Sequence, residues 1–191
     1  MLDEIVRNQE CFRNLLQALS YPGRIYRIEK AKPYRGGLFP ETMEMAMALV
    51  DGEVNLFIQG DYKEAFEEIS IRTNTKEAAI EEADYIIIPL KETENIGSCI
   101  RLGKKGSLIN PHTNTTYIIE VEELKEEGDW IFRGPGIEDY VSAEIPYSET
   151  WIDKRQEVVS SFPMGVDIFL IDRQQNLLAL PRTTRIERKG D

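Results

Sequence analysis

The stretch VDIFLIDRQQNLLALPRTT, residues 166–184, decides the fold of this chain. Two apolar runs, residues 166–171 and 177–180, are separated by a short polar segment. Runs of this length around a polar turn are typical of a hairpin of two buried strands. The second run stops abruptly at PRTT, residues 181–184. The end of this hairpin is therefore also the first candidate site.

Arg182, Thr183 and Thr184 place a guanidinium and two hydroxyls at the end of that strand. A guanidinium binds a phosphate or phosphonate through two parallel hydrogen bonds, so the cluster is a candidate anion site. It can equally pair with an acidic side chain on the adjoining strand, such as Asp167, or contact a partner protein. From the spacing, we favour the internal pair or the partner contact.

Strands and helices alternate along the rest of the chain. Apolar positions recur at helical spacing over residues 5–19, which predicts an N-terminal helix with one buried face. Two further strands are predicted to pair through the acidic turn KEEGD, residues 125–129. The alternation favours a layered α/β fold, which we expect to be a single domain over residues 1–191. The other predicted helices are residues 41–50, 62–70, 76–83 and 150–161, and the other predicted strands are residues 24–29, 55–59, 84–90, 118–124 and 129–134.

The composition argues against several classes of function but does not identify one. The chain has 191 residues, 41% of them hydrophobic, and a net charge of -11 from 23 basic and 34 acidic residues. This charge argues against binding to nucleic acid or to an anionic membrane. Because no apolar run approaches the length of about 20 residues that a membrane span needs, and the N-terminus lacks the pattern of a signal peptide, we expect a cytoplasmic protein.

The chain is poor in the residues that bind metals or act as nucleophiles. It has two cysteines, Cys11 and Cys99, and one histidine, His112. These are too few for a disulfide framework or a thiolate and imidazole metal cluster, and nothing near His112 suggests a catalytic triad. We therefore predict no catalytic residue and no metal site.

Two other segments offer polar groups at element ends. In IRTNTK, residues 71–76, Arg72 and Asn74 are candidates for an anion site, although Thr75 is better explained as the cap of a following helix. In FRGPGIEDY, residues 132–140, Gly134 and Gly136 leave backbone N-H groups free to face a ligand or a partner, or they simply form a tight turn. The lysine and hydroxyl of a phosphate-binding loop are absent there.

Five segments together resemble one known family, the PhnH family. This family is the H subunit of the bacterial carbon-phosphorus lyase system, which breaks down phosphonates. The resemblance spans nearly the whole chain, and its last two segments are the most specific. The segments are CFRNLLQALSYPGRI (11–25), RTNTK (72–76), RGPGI (133–137), FPMGVDIFL (162–170) and LLALPRTT (177–184).

The resemblance implies a role in a multiprotein assembly. It implies a homodimer that joins the G, I and J subunits of the carbon-phosphorus lyase complex. With G and I, the family is associated with transfer of a phosphonate to C1 of the ribose of ATP and release of adenine. The chain would then be a non-catalytic subunit of alpha-D-ribose 1-methylphosphonate 5-triphosphate synthase.

The resemblance also implies a layered α/β/α sandwich with a mixed sheet, similar to pyridoxal-phosphate-dependent transferases but without the cofactor. Lys63, Lys76, Lys104 and Lys105 all lie in polar stretches, where none is a candidate for a Schiff base. The alternative hypothesis is a free-standing transferase-like enzyme that binds a small phosphorylated ligand through Arg72, the Gly134 to Gly136 turn and Arg182.

Overall fold

The computed structural model describes residues 2–29 and 31–190. Five α-helices and ten strands are present in this part of the chain. The helices are α1 (Leu2–Ser20), α2 (Pro40–Leu49), α3 (Lys63–Thr73), α4 (Ile96–Leu102) and α5 (Ser148–Val159), with 3-10 helices at Leu90–Asn95 and Pro111–Thr113. The strands are β1 (Tyr26–Arg27), β2 (Asn55–Ile58), β3 (Lys76–Glu77), β4 (Tyr85–Ile88), β5 (Thr116–Val121), β6 (Lys125–Arg133), β7 (Val141–Glu144), β8 (Asp167–Asp172), β9 (Asn176–Leu180) and β10 (Arg185–Arg188).

A seven-stranded mixed sheet in the order β1-β9-β8-β5-β4-β2-β3 is the centre of the fold. Strands β8, β5, β4, β2 and β3 run parallel, whereas β9 and β1 are antiparallel to their neighbours. The predicted hairpin is confirmed as β8 and β9, with Phe169 opposite Ala179. We call the sheet edge where the parallel strands begin the amino edge and the edge where they end the carboxyl edge. Because β9 is antiparallel, it ends at the amino edge.

Alternate residues of the central strands face opposite sides of the sheet, as the two-residue period of a strand requires. On one face, Ile118, Phe169 and Ile171 pack with apolar residues of α1, α2 and α3. On the other face, Tyr117 and Leu170 pack with α4, with α5 and with a three-stranded sheet of order β10-β6-β7. The fold is therefore α/β with helices on both faces of a mixed sheet, as predicted.

Most predicted elements are present, but the predicted helix over residues 76–83 is wrong. Lys76 and Glu77 form strand β3 beside Asn55 and Leu56 of β2, and turns follow. The reason is local. Asn74 ends α3 in the left-handed conformation at φ 63°, and the chain then turns to run alongside β2. The helical spacing of the alanines in this segment is then overridden by strand pairing.

The predicted pairing of residues 118–124 with 129–134 is also wrong. Strand β5 lies between β4 and β8 in the large sheet, while β6 pairs with β7 and β10 in the small sheet. The segment predicted as an acidic turn, residues 125–129, lies within β6, where the register with β7 shifts between Glu126 and Trp130. Acidic residues are tolerated in this strand because all three, Glu126, Glu127 and Asp129, are exposed. Within the described residues, no helix has both the length and the hydropathy needed to cross a membrane.

Candidate functional site

Three of the segments that carry the family resemblance meet near the amino edge. We call this place the motif junction and define it as residues 20–23, 133–136 and 181–184. Gly136 has φ +84°, and a Cβ atom on it would lie 2.0 Å from the carbonyl oxygen of Ser20. No side chain larger than hydrogen fits there without a shift of the backbone. The turn after β6 therefore packs directly on the end of α1.

The same turn also packs on the end of β9. A Cβ atom on Gly134 would lie 2.9 Å from the carbonyl oxygen of Thr183. A Cβ atom on Gly23 would lie 2.7 Å from Cδ2 of Phe132. The glycines allow backbone segments to make contact at this junction. Of the two alternatives for Gly134 and Gly136, this arrangement corresponds to the tight turn. Whether their N-H groups also face a partner stays a prediction.

A buried arginine lies beneath the motif junction. Arg155 of α5 is 0% exposed, and it donates from Nη1 to the carbonyl oxygen of Thr184 at 3.1 Å and from Nη2 to that of Pro181 at 2.6 Å. Burial lowers the pKa of its guanidinium to about 10. Sequence reasoning missed Arg155, although Trp151 one helical turn before it, also buried, marks the inward face of α5.

Arg182 makes the internal pair that the sequence offered as one alternative. Its Nη2 donates to Oδ2 of Asp167 at 2.9 Å and to Oδ1 of Asn114 at 2.8 Å. Its Nη1 donates to the carbonyl oxygens of Pro111 at 2.5 Å and Pro163 at 3.4 Å. Four bonds from one guanidinium leave few donors for a ligand. We call Arg182 and these four partners the Arg182 brace, which joins the end of β9 to two loops.

The two threonines after Arg182 differ in their surroundings. Thr184 is 1% exposed, and its backbone N-H donates to the carbonyl oxygen of Pro181 at 2.9 Å, which closes a turn at the strand end. Its hydroxyl is buried without a hydrogen-bond partner in the described part of the chain. Thr183 is half-buried against the glycine turn.

Arg72 and Asn74 lie elsewhere. They are at the end of α3, next to β2, and three strands separate β2 from β9 in the sheet. Four strand spacings place them about 19 Å from the end of β9. Arg72 pairs with Glu68 at 3.2 Å and stacks over Tyr34. The fold therefore does not bring Arg72 and Asn74 together with Arg182.

Thr75 does not cap a helix, because no helix follows it. It is buried, and its hydroxyl donates to the carbonyl oxygen of Val54 at 2.7 Å. This bond joins the start of β3 to the loop before β2.

The carboxyl edge is occupied by buried carboxylates that sequence reasoning missed. Asp172, at the end of β8, is 0% exposed and accepts from the backbone N-H groups of Leu124, Gln174 and Asn176, each at 2.8 Å. A carboxylate that receives this many backbone bonds fixes the loops around it.

Glu120, at the end of β5, has the same role. Its side chain accepts from the backbone N-H groups of Phe39 at 2.6 Å and Leu90 at 3.1 Å. Burial raises the pKa of Glu120, and it also raises the pKa of nearby Glu41, which accepts from Nε2 of Gln175 at 2.9 Å. Its position inside the apolar run IIEV, residues 118–121, is the sequence signal from which the burial of Glu120 could have been predicted.

The two cysteines of this chain are buried, and its histidine lies at the surface. Burial raises the pKa of Cys11 to about 12 and that of Cys99 to about 11, so both thiols stay protonated near neutral pH. His112 is exposed. Among the described residues, no group of three His, Cys, Asp or Glu side chains could hold a metal ion. The charged groups of both edges chiefly hold backbone segments together.

Comparison with known proteins identifies the family. The model of the family described as bacterial phosphonate metabolism protein (PhnH) matches residues 1–187. The chain belongs to the PhnH family. The resemblance read from the five sequence segments is thereby confirmed.

Two curated relatives cover almost the whole chain. One, from Stutzerimonas stutzeri, is named as the C-P lyase subunit protein HtxG; it is 28% identical over 190 residues, which cover 96% of this chain and 88% of the relative. The other, from Rhizobium meliloti, is named as the PhnH subunit of alpha-D-ribose 1-methylphosphonate 5-triphosphate synthase. It is 26% identical over 188 residues, which cover 98% of this chain and 94% of the relative. Both relatives are named as subunits, one of a C-P lyase and the other of the synthase.

Proposed function

We propose that this PhnH-family protein is a subunit of the carbon-phosphorus lyase core complex in bacterial phosphonate catabolism. With the G and I subunits, it supports transfer of a phosphonate to C1 of the ribose of ATP, with release of adenine. The J subunit joins the larger complex. The observation that carries the proposal is the family match over residues 1–187, together with a relative named as a subunit of this synthase.

The structure favours a non-catalytic role for this chain within the complex. At the carboxyl edge, Asp172 and Glu120 accept backbone N-H groups, and at the amino edge Arg182 donates to four oxygens within the chain. Groups bound in this way are held in place by the fold and are not poised for proton transfer. The chain then contributes surface and stability, while the partner subunits contribute the chemistry.

We also propose that the isolated chain is a homodimer. The apolar helix α2 does not provide the shared surface, because its Met43 and Met45 are 0% exposed in the core. Support comes from α1, whose Ile5, Phe12 and Leu16 are 44–51% exposed. Their positions lie on one side of the helix, as the 3.6-residue period requires. A single species of 22.0 kDa in light scattering would contradict the dimer.

The proposed likeness to pyridoxal-phosphate-dependent transferases extends to the fold alone. Lys63, Lys76 and Lys105 are exposed, and Lys104 forms an ion pair with Asp84. An amine that forms a Schiff base needs a desolvated setting that lowers its pKa. We propose that the chain uses no such cofactor, and an aldimine absorbance band in purified protein would contradict this.

Co-expression with the G, I and J subunits tests the proposed function. We expect the chain to co-purify with them, and we expect adenine release from ATP in the presence of methylphosphonate only when the chain is included. Failure to associate with any of the three subunits would overturn the proposal. Phosphonate-dependent turnover by the isolated chain would instead favour the free-standing enzyme.

A further inference from the structure

One turn at the amino edge presents two large apolar side chains to solvent. In residues 107–110, the backbone N-H of Ser107 donates to the carbonyl oxygen of Asn110 at 3.1 Å. The two central residues, Leu108 and Ile109, are 70% and 89% exposed. Central positions of turns usually carry Gly, Pro, Asn, Asp or Ser. Neither apolar side chain contributes to the core of this chain.

A second turn nearby has the same character. In residues 161–164, the backbone N-H of Met164 donates to the carbonyl oxygen of Ser161 at 3.0 Å, and Phe162 is 71% exposed. We call Leu108, Ile109 and Phe162 the tip surface. Exposed apolar groups that form a patch mark places where another molecule binds.

The two turns are held side by side. The backbone N-H of Gly165 donates to the carbonyl oxygen of Lys105 at 2.8 Å. Nη1 of Arg182 donates to the carbonyl oxygens of both Pro111 and Pro163, one from each loop. The loops therefore keep their relative position without a bound partner. A surface ordered in advance loses less conformational entropy when it binds.

The charge around the tip surface differs from that of the chain as a whole. Residues 101–113 contain Arg101, Lys104 and Lys105 and no acidic residue, in a chain of net charge -11. The first two pair with acidic side chains of other elements, whereas Lys105 is exposed. A partner that carries a carboxylate opposite Lys105 would gain attraction during encounter and specificity when bound.

We infer that the tip surface docks a partner protein that presents an apolar groove bordered by a carboxylate. The inference rests on the proposed function, because it names the surface through which this chain joins its assembly. The two turn tips insert into the groove, and Lys105 faces the carboxylate. The Arg182 brace is not part of this contact. It contributes indirectly, because it fixes the two turns that carry the tip surface.

Two other occupants fit the observations less well. The net charge of -11 disfavours an anionic membrane, which would have to bind through the few cations of this edge. A symmetric second copy would bring two copies of the same surface together, including their two Lys105 ammonium groups. Like charges at the centre of a contact oppose association.

The test uses three variants in the co-expressed complex. Ile109→Asp and Phe162→Asp place a charge on the tip surface, and Ile71→Asp is the matched control on α3, since Ile71 is 85% exposed. We expect each tip variant to lower the amount of co-purified partner at least tenfold, because a buried apolar anchor dominates such contacts. We expect the control to bind as the unmodified chain does. All three should keep the melting temperature of the isolated chain, because the substituted side chains are exposed.

The outcomes separate this inference from the proposed function. If the unmodified chain captures no subunit, the proposed function fails. If it captures them and both tip variants capture them equally, the function stands and the docking surface is refuted. Lys105→Glu should weaken binding several-fold at low salt and less at high salt. Flotation of the chain with anionic vesicles, or a dimer lost only in the tip variants, would also overturn the inference.

Discussion

The two edges of the central sheet hold their loops with side chains of opposite charge. At the carboxyl edge, the carboxylates of Asp172 and Glu120 accept backbone N-H groups from the loops that follow the strands. At the amino edge, the guanidinium of Arg182 donates to backbone and side-chain oxygens. Charged side chains therefore hold the loops at both edges, but the exposed tip surface lies at the amino edge.

The proposed docking surface lies away from the usual ligand site of such folds. Ligands of open α/β sheets generally bind at the carboxyl ends of the strands. Here Asp172 and Glu120 occupy that edge, are 0% and 1% exposed, and would repel a phosphate or phosphonate. The charged groups at an edge, and not the layered fold alone, therefore determine what can bind there.

The largest effect is expected from Asp172→Ala at the carboxyl edge. It removes the acceptor of three backbone N-H groups in a fully buried place. We expect a loss of about 3–5 kcal/mol in the free energy of unfolding. Urea unfolding measures it, with Glu122→Ala as control, because the Glu122 side chain is 49% exposed and should contribute about 0–1 kcal/mol. Equal losses in the two variants would show that Asp172 does not hold this edge.

Arg182→Ala should have the next largest effect, at the amino edge. The side chains of Arg182 and Asp167 are 19% and 18% exposed, so water partly replaces the lost partner. We expect a loss of about 2–3 kcal/mol, below the cost of breaking a fully buried pair. The exposed Arg185 provides the control through Arg185→Ala. A variant with unchanged melting and assembly but without activity would make Arg182 a ligand-binding residue.

A matched pair of glycines tests the motif junction. Gly136 and Gly37 have nearly the same φ, +84° and +82°, but an added Cβ would meet Ser20 at 2.0 Å in the first and Tyr62 at 3.8 Å in the second. Gly136→Ala should therefore cost about 1–3 kcal/mol more than Gly37→Ala, because only the first adds a steric clash to the backbone strain. Thermal unfolding of both variants measures the difference. Equal losses of stability in the two variants would mean that the backbone at the motif junction shifts easily to accommodate a Cβ atom.

The smallest effect is expected from Glu41→Gln and depends on pH. Burial raises the pKa of Glu41 in the folded chain, so its stabilising contribution is complete below the unfolded pKa and is lost as pH rises through the folded value. The variant lacks this loss. Relative to the unmodified chain, it should gain on the order of 1 kcal/mol or less between pH 4 and pH 7. Urea unfolding at both pH values checks this against Glu53→Gln on an exposed residue, and a relative loss at pH 7 would contradict it.

The spacing of apolar residues was enough to predict those helices and strands whose apolar residues are buried in the structure. The apolar runs of β8 and β9, the helix α1 and the buried helix α2 were all predicted, since burial dictates the spacing of apolar residues. In α1 the prediction of a single buried apolar face holds only in part, because Ile5, Phe12 and Leu16 are exposed. The segments that resemble the PhnH family also led to the correct family. Where pairing partners decide the structure, as for β3 and β6, the prediction was wrong.

Periodicity, composition and motif order thus determined the α/β class, the acidic character and the family of this protein. Only the tertiary structure decided which charges are buried, that Arg155 lies beneath the motif junction, and that Arg182 joins two loops while Arg72 lies apart. The physical reason is that a hydrogen bond or an ion pair joins groups far apart in the chain, whose meeting depends on strand order and not on local spacing. Asp167 and Arg182 are adjacent because β8 and β9 pair, and Asn114 joins them only because β5 lies beside β8.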